Sequence, residues 1–491
     1  MKYLLGIDFG GGASKATLLC QDGRIVADHT VEYPTLYPES GACEQSPADW
    51  VAALCENTKA LLAKSGIPAD KIAAIALDSA THTSLLCDKD FRPVSNAMHW
   101  TDSRSRLEAN ELLEQYGEKI FAKTYHKPDT IWTLPQLLWF KRHNPECFAN
   151  ARYVFFEKDY LRYYLTDVFC TDYIEAEGSM LFDCNRMQWD EELCRLAGIT
   201  VDMLPPIKSP TDLVGHVSAK AASETGLAIG TPVICGTTDT VMEVFASGAV
   251  EEGDMTVKLA TAGRICVITD RPCPDRHLVN YSHIVPGLWY PGTATKAAAA
   301  SYRWYRDTFG EEYRALDEAA AKLPVGADGV FFHPYINGEL TPYADPQLCG
   351  SFTGLRATHT KAHFTRAVLE GVSLSLLDSK RYLDGLQIPH KKYATLIGGG
   401  TKGTLWRQIT ADALGITLHV TESADSSFGS AMLAGIAIGI FSDAKDAVAK
   451  CVKKVATVTP NPENTAKYAE LFQTYKQIHD ALAPIYRERN T

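Results

Sequence analysis

Two stretches of this chain, far apart in sequence, share one form. Residues 3–7 are an apolar run that reaches Asp8, turns through Gly10, Gly11 and Gly12, and resumes as the apolar stretch 16–19. Far downstream, residues 256–259 run into the small-residue turn Ala260-Thr261-Ala262-Gly263 and return as 265–268. Each reads as a strand, a tight turn and a returning strand. Two such copies, roughly half a chain apart, predict two related domains facing one another. Glycine and acidic residues at 248–253 mark the boundary, giving domains over 1–248 and 249–491.

The elements between these hairpins alternate. After a third strand beginning at Ile25, Ser46 is positioned to cap a helix, with Pro47 in its first turn and Asp49 completing a capping-box pattern. Trp50, Leu54 and Leu61 follow at helical spacing, and Gly66 with Pro68 ends the run. Residues 72–77 are a further buried strand. Strands alternating with helices indicate an α/β fold with mixed sheets. At the far end, Tyr468, Phe472, Tyr475, Ile478 and Leu482 share one face of a helix over 468–486 that packs on the C-terminal domain.

Charge and cysteine usage exclude several function classes. A net charge of −11 with no run of Lys and Arg argues against nucleic-acid binding, which needs a basic surface to displace counterions. No stretch approaches the roughly 20 apolar residues of a membrane span, and Asp8 interrupts the N-terminal apolar run too early for a signal peptide. The 13 cysteines are scattered without a CxxC pair or zinc-ligand spacing, as expected of buried free thiols in a reducing cytoplasm.

Three segments carry the chemistry. A glycine-rich turn between strands lets backbone N–H groups approach phosphate oxygens, the carboxylate of Asp8 is suited to Mg²⁺, and Lys15 is suited to phosphate charge. A second glycine run, Gly398-Gly399-Gly400-Thr401, precedes a helix whose N-terminus favours negative charge. Third, Asp239 follows an apolar strand and Gly236 and is either a cleft carboxylate or the N-cap of the next helix.

With these segments in place, the chain resembles the FGGY family of carbohydrate kinases over nearly its whole length, and within it the xylulokinases. One family signature matches at Gly350-Ser351-Phe352-Thr353-Gly354-Leu355 with His363, Phe364 and Glu370; the other, around 132–143, is partial, with Gln136 where Lys is usual. The stretches 157–165 (EKDYLRYYL) and 338–342 (GELTP) are also similar to xylulokinases.

The resemblance implies two actin-like, ribonuclease H-like domains with a catalytic cleft between them, using ATP and Mg²⁺. It makes Asp239 the catalytic base and Asp8 the metal-associated carboxylate. Gly11, Gly12, Lys15, Thr261, Gly263, Gly400, Thr401 and Thr404 fall on the nucleotide-binding loops. Thr81, His82, Trp100, Asp102, Asp239 and Thr240 fall on the sugar side. Three departures stand out: Gly11 and Gly12 replace hydroxyl residues, Thr81 replaces Met, and Thr240 replaces Asn. The implied reaction is phosphorylation of a ketopentose such as D-xylulose. The alternatives are another polyol, ketose or sugar acid (L-xylulose, ribulose, glycerol, gluconate), a non-kinase actin-like ATPase, or a sugar-binding regulator. The expected partners are the sugar and ATP, without nucleic acid or membrane; a homodimer is compatible with this reading.

Overall fold

The computed structural model describes residues 1–490, so Thr491, the last residue of the second expected domain, lies outside the described residues. The chain forms two units. One comprises Met1–Gly248, Tyr281–Gly287 and Ser423–Val452; the other comprises Ala249–Asn280, Leu288–Glu422 and the chain from Lys453 on. The expected C-terminal domain therefore gives up two segments to the first unit. Among the described residues, no helix is long and apolar enough to cross a membrane.

In the first unit, Tyr3–Phe9, Ala13–Cys20 and Ile25–Glu32 form an antiparallel meander. Ile72–Ser79 pairs parallel to Tyr3–Phe9 on its other side, Pro232–Ile234 pairs parallel beyond it, and Leu213–His216 closes that edge antiparallel. The first strand is apolar almost throughout because both of its faces are covered. Successive side chains alternate: Leu5, Ile7 and Phe9 join a core with Trp50, Leu54 and Leu61 of the helix Pro47–Ser65. The opposite face, with Gly6, receives the helix Ser426–Ala437. A Cβ on Gly6 would stand 1.9 Å from the Ser427 carbonyl and 2.4 Å from the Ala431 nitrogen. Gly435 and Gly429 grant the same close approach to Leu4 and to the Met242 backbone. This packing explains why Ser423–Val452 belongs to the first unit. Helix Pro47–Ser65 begins after Ser46 as expected, but the Ser46 hydroxyl makes no cap bond, so the capping box does not form.

The second unit repeats this topology. Gly263–Val267, Met255–Leu259, Tyr393–Ile397, Thr417–Thr421 and Lys454–Val458 lie side by side in that order, paired antiparallel, parallel, parallel and antiparallel. The strands Ala13–Cys20, Tyr3–Phe9, Ile72–Ser79, Pro232–Ile234 and Leu213–His216 have the same order and senses. Val257, Leu259, Leu396 and Leu418 form its core with helix Lys361–Gly385 and with Tyr468, Phe472 and Tyr475 of the terminal helix Pro462–Asn490.

Candidate active site

The first glycine turn sits where the central strand ends. Gly10 N–H donates to Ala13 O at 3.0 Å and closes the hairpin. The carbonyls of Gly11 and Gly12 accept from Thr35 Oγ1 (2.7 Å) and Tyr33 N (3.0 Å), while among the described residues their own amides donate to nothing. A Cβ on Gly11 would come no closer than 3.7 Å to the His99 ring, and one on Gly12 no closer than 3.8 Å to Tyr33 O. The protein's own packing therefore does not require glycine here. Lys15 lies in the returning strand as the cross-strand partner of Asp8 and is ion-paired with Asp425.

Asp8 and Asp78 are register partners on adjacent parallel strands. Each has a buried Oδ1 that receives no N–H or hydroxyl donor, and Ser430 Oγ donates 2.5 Å to Asp78 Oδ2. Burial raises the carboxyl of Asp8 to about 7 against the lowering effect of a hydrogen bond with Asp78, and the charges of Asp239 and Glu243 add to the rise. Burial and the charge of Asp8 raise Asp78 well above the usual carboxylate range. Two hard oxygen donors without N–H or hydroxyl partners of their own suit Mg²⁺, which takes one or two carboxylates and leaves its other positions to water and phosphate. Among the described residues no group of three or more metal-ligating side chains occurs.

Asp239 reaches the same sheet edge by a forced path. Gly236 has φ +73°, and a Cβ there would stand 2.0 Å from Leu77 O. The chain thus runs tight against Ile72–Ser79, and Thr237 pairs with Asp78. Thr238 occupies the N-cap and Asp239 is the first residue of helix Asp239–Ala246. Its Oδ1 accepts from Thr240 N (2.6 Å) and Thr240 Oγ1 (3.2 Å), so Thr240 orients the carboxylate.

His82 occupies a left-handed backbone conformation, φ +67°, which is uncommon outside glycine. Its N–H donates 2.8 Å to Glu175 Oε1, and its Nε2 lies 3.0 Å from the Tyr281 hydroxyl. Four buried rings gather here. Trp132 lies 4.7 Å from His82 and 4.4 Å from His126, and Tyr281 lies 5.2 Å from His126, centroid to centroid. Thr81 borders the same space, its methyl 3.0 Å from the point a Gly178 Cβ would occupy. The sequence motifs did not single out His126, Tyr281, Glu175 or Gly178, and nothing local to them signals the convergence.

Behind these loops lies a buried ionic frame built from the EKDYLRYYL stretch. Lys158 Nζ is 2.6 Å from Asp159 and 2.8 Å from Asp172, and Arg162 is 2.9 Å from Asp159, all fully buried. Asp172 accepts from Thr237 Oγ1 at 2.7 Å and caps the helix Tyr173–Gly178 that carries Glu175. One charged cluster thus braces both the His82 loop and the Asp239 loop. Trp100 is 40% exposed. Asp102, expected on the sugar side, is fully buried and occupied by Cys43 N at 2.8 Å and by the Arg104 guanidinium at 2.8–3.2 Å. Its carboxylate secures the loop that carries Trp100.

In the second unit, Gly263 N–H donates 3.0 Å to Thr295 Oγ1, and Ala298 N–H donates 3.0 Å to Thr261 O. Gly398 has φ +92°, and Gly398 and Gly400 pack so tightly on Leu259 that a Cβ on either would come within 2.8 Å of it. Thr401 Oγ1 donates 2.7 Å to Gly398 O. Thr404 is the exposed first residue of helix Thr404–Leu414, whose N-terminal amides have no side-chain cap. The turn 260–263 and the loop 398–404 therefore meet at the Leu259 end of the second sheet.

The model of the FGGY family of carbohydrate kinases, N-terminal domain, matches residues 3–246, and that of its C-terminal domain matches 255–438. The chain is 31% identical over 486 residues to a xylulose kinase of Bacillus subtilis, covering 98% of this chain and 97% of that one. It is 27% identical over 500 residues to a gluconokinase of the same species, covering 99% and 97%. The solved xylulose kinase from Rhodospirillum rubrum matches with a TM-score of 0.91 at 28% identity, covering 99% of this chain and 100% of that one.

Proposed function

The chain belongs to the FGGY family of carbohydrate kinases, and on that premise we propose that it transfers the γ-phosphoryl group of ATP to a hydroxyl of a neutral open-chain ketose, D-xylulose foremost. The observation that carries this reading is the position of Asp239. It heads a helix in the unit that also holds the four-ring cluster, is oriented by Thr240, and lies close enough to Asp8 for its charge to raise that carboxyl.

In this reading the Asp239 carboxylate takes the proton from the sugar hydroxyl as the oxygen attacks the γ-phosphorus in line and ADP departs. The Gly11 and Gly12 amides donate to phosphoryl oxygens, and His82, Thr81 and Trp100 border the sugar. On the second unit Thr261, Gly263, Gly400, Thr401 and Thr404 serve the nucleotide. Asp8 and Asp78 would hold Mg²⁺, which when bound offsets charge on the β- and γ-phosphates. The reaction belongs in the cytoplasm, where free thiols such as these stay reduced.

Charge favours a neutral sugar over an aldonic acid. The His82 amide donates to Glu175 and the Thr237 hydroxyl to Asp172, while the Arg162 guanidinium donates to Cys235 O at the start of the Asp239 loop. Lys158 and Arg162 are already neutralised by Asp159 and Asp172. A sugar carboxylate entering here would find both of these cations already paired. The test is ADP release with D-xylulose, L-xylulose, D-ribulose, glycerol and gluconate. D-Xylulose should give the highest kcat/KM; a tenfold advantage for any other acceptor removes xylulose as the substrate, and a gluconate advantage also refutes the charge argument.

A further inference from the structure

Tyr281 and Glu177 have no part in the mechanism just described, yet their contacts converge on it. Residues Tyr281–Gly287 belong to the first unit while their neighbours Asn280 and Leu288 belong to the second, so the chain makes a short excursion to reach His82. Two side chains of helix Tyr173–Gly178 hold that excursion. Glu177 accepts from Ser282 N at 2.7 Å through Oε2 and from Ser282 Oγ at 2.5 Å through Oε1, and the Tyr173 hydroxyl donates 3.3 Å to His283 O. The same six-residue helix supplies Glu175 to the His82 amide. His82 is thereby held at two points by one element: directly at its backbone, and at its ring by way of Ser282 and Tyr281.

A fully buried carboxylate is expensive to desolvate and is compensated only where its hydrogen bonds are well made. In this structure Glu177 makes them to the residue directly after Tyr281. The Tyr281 ring stacks on the His82 ring at an interplanar angle of 18°, and its hydroxyl lies 3.0 Å from Nε2. A hydroxyl in that position fixes the rotation of the imidazole.

We propose that Tyr281 is a positioning residue for the sugar site that acts through His82, and that Glu177 holds it in place through Ser282. The proposal rests on the assignment of His82 to the sugar, and a double-mutant cycle separates the two. Tyr281→Phe keeps the stacked ring and removes only the hydroxyl. It should lower kcat/KM for the accepted sugar about fivefold, the worth of one ordinary hydrogen bond, and leave the ATP KM unchanged. In a His82→Ala background the same change should cost nothing more, because the group it orients is gone. Ser282→Ala should reproduce part of the Tyr281→Phe loss, and Ser282→Thr, which retains the hydroxyl, should restore it. Equal losses in both backgrounds would mean that Tyr281 acts independently of His82 and would overturn the proposal. So would a neutral Tyr281→Phe beside a damaging His82→Ala, with the sugar-site assignment intact. A neutral His82→Ala would remove the assignment and the positioning role together.

Discussion

A methyl group added to Gly178 would stand 2.1 Å from both Cε1 and Nδ1 of His82. Glycine at 178 is therefore what allows the His82 ring its place, and any side chain there must displace it. Gly178→Ala should lower kcat/KM for the sugar by about a hundredfold, the cost expected of a misplacement near 1 Å, while the ATP KM holds. Steady-state kinetics with each substrate varied in turn checks this; equal damage to both constants would locate the effect in the fold instead.

Asp239→Asn retains the shape and the acceptor oxygen that Thr240 grips but cannot take a proton. It should bind sugar and nucleotide normally in calorimetry and lose kcat by at least about a hundredfold. Near-normal turnover would remove Asp239 from the mechanism.

At Gly12 the nearest atoms to a new Cβ are Tyr33 O at 3.8 Å and Thr35 Oγ1 at 3.9 Å, ordinary contacts that leave the fold intact. Gly12→Val should keep its melting temperature and raise the ATP KM severalfold, because a branched side chain stands where phosphate must approach. An unchanged KM in the folded variant would make this hairpin purely structural.

Burial pushes the Glu177 carboxyl from its ordinary 4.5 up to about 8, against the lowering effect of the Ser282 bonds. Between those values the folded protein holds a proton that the unfolded chain has lost, so this group's contribution to stability falls as pH rises from about 4.5 to about 8 and is level above. Glutamine cannot titrate. The melting temperature of the wild type relative to Glu177→Gln should therefore decline from pH 5 to pH 8.5. A difference that stays constant with pH would refute a proton on this carboxyl.

Gly6→Ala drives a Cβ into the backbone of helix Ser426–Ala437 at Ser427 and Ala431, where no side chain can swing aside. Overpacking of this kind costs about 1–3 kcal/mol. Calorimetry should show a lowered melting transition, and activity should fall too, because Ser430 on that helix donates to Asp78.

The strand–turn–strand repeat was legible because short apolar runs and small-residue turns are local properties. Even so, residues 3–7 extend in the structure to Phe9, and the return begins at Ala13. Asp8 and Lys15 are strand residues because ladder partners outweigh their low strand propensity. Reading Lys15 as a phosphate ligand followed from its nearness to the glycines; its pairing with Asp425 joins residues 410 apart in sequence and no local pattern announces it. The same holds for His82. Histidine seldom adopts a positive φ, and here the conformation is held by Glu175 and given room by Gly178, both distant in the chain. Asp102 shows the converse: its motif pointed to the sugar, while Arg104, two residues on, and the Cys43 amide occupy its carboxylate.

The helix that covers the Gly6 face of the first strand begins at Ser426. During synthesis the ribosome delivers that strand roughly four hundred residues before its cover, so the first unit cannot close as it emerges. Through most of translation Leu4 and Gly6 present an uncovered strip of a central strand, the kind of surface on which nascent chains aggregate. A fragment ending at Gly248 would keep that strip exposed for good. Growth from one end does not complete this unit, and a chain cut short at Glu422 would carry nearly all of the residues named above without the helix that lets the first of them settle.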